Sequence, residues 1–100
     1  MTHARMSTLE IEPSKAEEGV RFFREQTLAT ARRQPGFQGA RLLLDRRSGK
    51  VYAVTLWESE AALRAAVQAM DQSRSSEAVQ ALGARNVTTE VLELAVNENA

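Results

Sequence analysis

The segments of this chain that read as strands carry apolar side chains on both faces, while the sequence supplies only two long helices to cover them. Residues 4–11, 37–45, 50–57 and about 86–96 are the four strand-like segments. The first has no clean alternation of apolar and polar side chains, the pattern of a strand that meets apolar matter on each side. If parity is regular along every strand, one sheet face bears Met6, Ala40, Leu42, Leu44, Val54, Leu56, Leu92 and Leu94. Helices stacked on the opposite face leave this one bare. A bare apolar face of that extent is an aggregation hazard or an interface, and we read it as an interface.

Local signals set the order of elements. Ser14 and Glu17 have the spacing of a capping box after Pro13. The helix that follows is expected to bury Ala16, Val20, Phe23, Thr27 and Ala31 and to end at Pro35-Gly36. A hairpin loop spans Asp45 to Lys50, with Gly49 supplying a positive φ. Ser59 caps a second helix whose face is Leu63, Ala66, Val67 and Met70. After Asp71–Ser76, a short helix carries Val79 and Leu82 and stops at Gly83. The order β-α-β-β-α-β predicts an α+β, ferredoxin-like sandwich: a four-stranded antiparallel sheet with helices on one face. The length predicts one domain over residues 1–100, with an ordered core of about 4–96.

Composition narrows the classes of partner. Thirteen basic and thirteen acidic side chains balance, which argues against nucleic acid or an anionic membrane as the main partner. No cysteine is present, so disulfides, thiolate metal sites and a cysteine nucleophile are excluded. Residues 1–7 contain no apolar stretch of signal-peptide length, and no run approaches the roughly 20 apolar residues of a membrane span. A cytoplasmic location is the expectation.

From Ala4 to about Met70 the chain resembles dimeric α/β-barrel domains of the antibiotic biosynthesis monooxygenase type. The resemblance is carried by the opening strand running into Glu12-Pro-Ser-Lys15, by Ala31-Arg-Arg-Gln-Pro-Gly-Phe37, by the hairpin at Asp45–Val51, and above all by Thr55-Leu-Trp57-Glu-Ser59-Glu60-Ala-Ala-Leu63. It implies that two sheets close face to face across a homodimer through the open sheet face. It implies a possible small aromatic ligand, and a reaction that needs no cofactor and no metal. Domains of this kind include cofactor-independent oxygenases of polyphenols or quinols, haem-degrading enzymes, and many proteins without known activity. Catalytic members often carry a histidine on the second helix, where this chain has Leu63, Ala66, Val67 and Met70. Haem-degrading members need an asparagine on the first strand, where Ala4 stands beside Arg5. No axial ligand for haem iron is then expected.

The candidate catalytic residues are Trp57, Arg5 and Arg41. Trp57 shares strand parity with Val51, Ala53 and Thr55, towards the helices, where its indole N–H could bond a substrate oxygen or its ring simply fill the core. Arg5 and Arg41 could steady a phenolate, or instead pair with Glu10, Glu90 or Glu93 or reach out to solvent. Tyr52 has the opposite parity and belongs to the interface face. His3 is expected to be a solvated terminal residue, with a proton-transfer role only if the first strand extends to it. The alanines of the second helix either leave a cavity or let the helix close it. Ser73-Arg74-Ser75-Ser76 could bind an anion but reads better as a capped loop. Two functions follow: a cofactor-independent monooxygenase of a polyphenol or quinol-like aromatic, or a non-catalytic dimeric ligand-binding or structural module of the same fold.

Overall fold

The computed structural model describes residues 1–69 and 79–99. Four strands, β1 (His3–Glu10), β2 (Phe37–Asp45), β3 (Lys50–Trp57) and β4 (Arg85–Glu93), form one sheet in the order β2-β3-β1-β4. Every neighbouring pair is antiparallel. This is the ferredoxin-like α+β arrangement expected from the order of elements. Among the described residues no helix is long and apolar enough to cross a membrane.

The connection from β1 to β2 is helical but not uniform. A 3₁₀ turn (Pro13–Lys15) leads into α1 (Ala16–Phe22), a π-helical stretch (Phe23–Leu28) and α2 (Ala29–Ala31). The expected capping box does not form, since Ser14 already lies inside the 3₁₀ turn that Pro13 starts and α1 has no side-chain cap bond. The buried stripe differs too. Ala16 and Ala31 are buried as expected, but Val20, Phe23 and Thr27 are only half-buried, and Phe22 is the phenylalanine packed on the core. Gly19 explains the rotation: a Cβ there would stand 3.0 Å from Ile11 Cδ1, so Ile11 occupies the space a side chain would need and draws this face inward. Nine residues at about 100° each would put Phe22 and Ala31 on opposite sides of an unbroken α-helix. The wider π turn between them takes up the difference.

The hairpin and the second helix match their signals. Gly49 has φ +80° and closes the loop with an N–H donated to the Asp45 carbonyl at 2.9 Å. The Ser59 hydroxyl accepts the Ala62 N–H at 3.0 Å and starts α3 (Glu60–Ala69), which buries Leu63 and Ala66. Residues 79–82 are helical and end at Gly83, whose φ is +64°. Met70, the Asp71–Ser76 segment and its possible anion site lie outside the described residues. β4 stops at Glu93, short of residue 96, although Leu94 still donates its N–H to the Thr2 carbonyl.

Register defines the two faces. Phe37 pairs with Trp57 but Gly39 pairs with Leu56, so β2 contains a bulge at Gln38. One extra residue inverts the parity that follows. Ala40, Leu42 and Leu44 therefore face the helices, not the open side as regular alternation required. Arg41 and Leu43 take their place on the open face with Ala4, Met6, Tyr52, Val54, Leu56 and Leu92. The helix-facing core falls into two groups at opposite ends of the sheet. Ile11, Val51, Leu82 and Ala84 form one, backed by Leu9, Phe22, Leu42, Leu44 and Val87. Ala31, Trp57, Leu63 and Ala66 form the other, backed by Phe37 and Val67.

Candidate functional site

Between those two core groups the helix-facing floor of the sheet is made mostly of small or polar residues, with Leu42 at its β2 edge. Arg5 pairs with Thr55 and Ala40 lies across from Thr55; on the next rung Ser7 pairs with Ala53, which pairs with Leu42. α3 packs against β1 and β3, and Ala31 of α2 joins Trp57 in the core. The layer is open towards its β2 edge. There a cleft of about 390 Å³ lies between the first helical region and β2, walled by Val20, Phe23, Leu28, Leu42 and Leu44.

Trp57 closes one end of this floor. Its side chain is 1% exposed, and Phe37 meets it edge-on with ring centroids 5.4 Å apart. Its indole N–H donates to Thr55 Oγ1 at 3.0 Å, and Thr55 is itself buried. The donor imagined for a substrate oxygen is therefore already used inside the protein. Thr55 is the partner that reading the sequence missed, although the i, i+2 spacing on one strand face was there to be seen.

Arg5 faces the same side of the sheet, two residues along β1 from the position opposite Trp57. It is half-buried, and burial pushes its guanidinium below the ordinary arginine value, although it remains a cation. None of the expected pairings is made. On Arg5's own face Glu93 lies opposite His3, while Glu10 pairs with Lys50 on the open face and accepts a hydrogen bond from Asn86. Glu90 pairs with Met6 and so belongs to the open face. Among the described residues Arg5 has no carboxylate within ion-pair distance.

Arg41 is not part of this constellation. The bulge at Gln38 turns it to the open face opposite Val54, where it is exposed and its Nη1 donates to the Ala40 carbonyl at 2.8 Å. His3 is the converse correction. β1 reaches back to include it, opposite Trp57 on the helix-facing side, and its side chain is 18% exposed instead of solvated. Its Nδ1 lies 3.1 Å from the Met1 carbonyl and its Nε2 3.6 Å from Glu60 Oε1. Glu60 is held below the usual carboxylate range chiefly by the hydrogen bond and charge of Arg64, with a smaller contribution from His3. The structure thus gathers Trp57, Thr55, Arg5 and His3 on one face and separates Arg41 from them.

Residues 2–85 match the family model described as antibiotic biosynthesis monooxygenase. An uncharacterized protein of Mycobacterium tuberculosis is 30% identical over 87 residues; the match covers 87% of this chain but 37% of that protein, so the chain spans little more than a third of its relative. Solved structures share the fold, two of them as follows. A mutant of SnoaB, a cofactor-independent oxygenase from Streptomyces nogalater, superposes with a TM-score of 0.72 at 22% identity, covering 96% of this chain and 95% of that one. The heme-degrader MhuD of Mycobacterium tuberculosis, with two hemes in its active site, gives a TM-score of 0.69 at 21% identity, over 97% and 99% of the two chains.

Proposed function

This chain belongs to the antibiotic biosynthesis monooxygenase family, and on that premise we propose that it is a cofactor-independent monooxygenase of an electron-rich aromatic, a polyphenol or quinol-like compound. The observation that carries the proposal is Arg5: a half-buried guanidinium with no carboxylate partner among the described residues, on the helix-facing floor of the sheet. Such a cation is placed to favour the anion of a bound phenol. Once deprotonated, the ring supplies its own electrons. Where the reacting centre is a ring methylene, CH₂ and O₂ become C=O and H₂O: two C–H bonds break, one oxygen atom stays on carbon, and the other leaves as water with the two hydrogens. All four electrons come from the substrate carbon. The protein's part is to bind the ring, stabilise its anion and exclude bulk water.

In this reading Arg5 is the catalytic residue. Trp57 is a positioning residue that holds Thr55 and walls one end of the site, and Arg41 has no role in the chemistry. The residue set does not fit a haem. The described part of α3 turns Leu63 and Ala66 towards Trp57, which gives no nitrogen ligand for iron, and His3 is already engaged with Met1 and Glu60. A second copy of the chain is proposed to cover the open face, where Leu43 is 56% and Leu92 41% exposed beside Met6, Tyr52, Val54 and Leu56.

One observation favours the alternative, a dimeric module that binds a small ligand without changing it: the ring and N–H of Trp57 are both consumed by internal contacts. Oxygen uptake with a panel of anthrones and quinols separates the two. The oxygenase reading expects one O₂ consumed per substrate, with Arg5→Gln lowering kcat by about 100-fold or more. Absence of uptake across the panel by the wild-type protein overturns it and leaves the binding module.

A further inference from the structure

The cleft between the first helical region and β2 has features that the oxygenase reading does not use. Its walls are apolar on both sides, with Val20, Phe23 and Leu28 facing Leu42 and Leu44, and its volume of about 390 Å³ suits a small organic molecule. Two arginines, Arg24 and Arg46, complete the lining. Arg46 pairs with Glu17 across the connection, whereas Arg24 is exposed and has no acidic partner among the described residues. Phe23, Arg24 and Leu28 all come from the π-helical stretch. A turn widened to i→i+5 bonding is rare, and such turns recur at functional sites. Here it carries half-buried Phe23 and Leu28 in the cleft wall.

We propose that this cleft is a binding site for an amphipathic organic anion. An apolar, preferably aromatic body lies against Phe23, Leu28 and Leu42, and one carboxylate or sulfonate sits between Arg24 and Arg46. Charge complementarity selects the anion, because among the described residues no acidic side chain lines the cleft, and Glu17 engages Arg46. The anion must compete with Glu17 for that guanidinium. Removing Glu17 therefore strengthens binding. The site needs no turnover and stands or falls apart from the oxygenase reading.

Two fluorescent probes that share the anilinonaphthalene ring system test the proposal: 8-anilinonaphthalene-1-sulfonate and the uncharged N-phenyl-1-naphthylamine. Wild type is expected to bind the sulfonate more tightly than the uncharged probe. Arg24→Gln with Arg46→Gln weakens the sulfonate by about tenfold and leaves the uncharged probe unchanged. Glu17→Gln tightens the sulfonate alone. These substitutions are on exposed side chains, and circular dichroism checks that the fold is retained. Equal affinity for the two probes, full sulfonate affinity in the double variant, or no gain in Glu17→Gln each overturns the proposal and assigns the probe to another surface.

Discussion

Thr55 accepts the indole N–H of Trp57 at 3.0 Å, and both side chains are buried. A buried donor with one partner makes a sharp stability test. Thr55→Val keeps the shape but orphans the N–H, at an expected cost of about 1–3 kcal/mol in chemical denaturation. With Trp57→Phe already in place the same change should cost less, because no donor remains to be orphaned. A double-mutant cycle showing strict additivity would mean that the bond does not hold the pair together.

Gly49 tests the hairpin. A Cβ at this position would stand 1.8 Å from the Ile11 carbonyl oxygen, and its φ of +80° is one that other residues adopt at a cost. Gly49→Ala is expected to lower stability by more than about 1 kcal/mol, read as a drop in thermal midpoint. An unchanged midpoint would show that β1 and the loop can part without penalty.

Asp45 makes the acid limb of stability testable. Its carboxylate is held below the usual range by the backbone N–H of Arg47 first and of Ser48 second. A depressed folded value means stabilisation that is complete above the ordinary carboxylate range, about pH 4, and is lost as pH falls through the lower folded value. The stability difference between wild type and Asp45→Ala should therefore shrink on acidification and be flat near neutrality. A difference that grows towards low pH contradicts the assignment.

The open face carries the assembly prediction. Sedimentation should give a dimer for the wild-type chain, and Val54→Lys or Leu43→Glu should shift it towards monomer, since each puts a charge into the apolar surface the second copy would cover. A wild-type chain that stays monomeric at micromolar concentration removes this partner from the account.

The order of elements was legible because each boundary has a local cause: the Gly49 turn, the Ser59 cap and the Gly83 stop act within a few residues. What was not legible depends on one residue more or fewer. The bulge at Gln38 is hinted only by the glycine that follows it, Gly39, yet it moves Leu42 from the open face to the cleft and sends Arg41 the other way. The close fit of Ile11 against Gly19 similarly turns the first helix off its expected stripe, so Phe22 and Phe23 exchange expected roles. For the candidate site, Trp57 and Arg5 were legible from simple alternation along β3 and β1. His3 was not, because the length of β1 is set by its pairing to β3 and β4, both distant in sequence.

Arg5 also distinguishes function from packing without any assay of turnover. A half-buried cation with no carboxylate partner is a liability for folding, so Arg5→Leu is expected to raise stability by up to about 1 kcal/mol. A clear loss of stability would instead make Arg5 a structural residue.

The most direct measurement is the ionisation of a bound phenol, followed by absorbance through a pH titration. If Arg5 is the cation that favours the substrate anion, a naphthol or anthrone bound to wild type or to Arg41→Gln ionises at lower pH than it does free in solution. In Arg5→Gln it should return to its free value. The same ionisation in all three proteins would contradict the account at its centre.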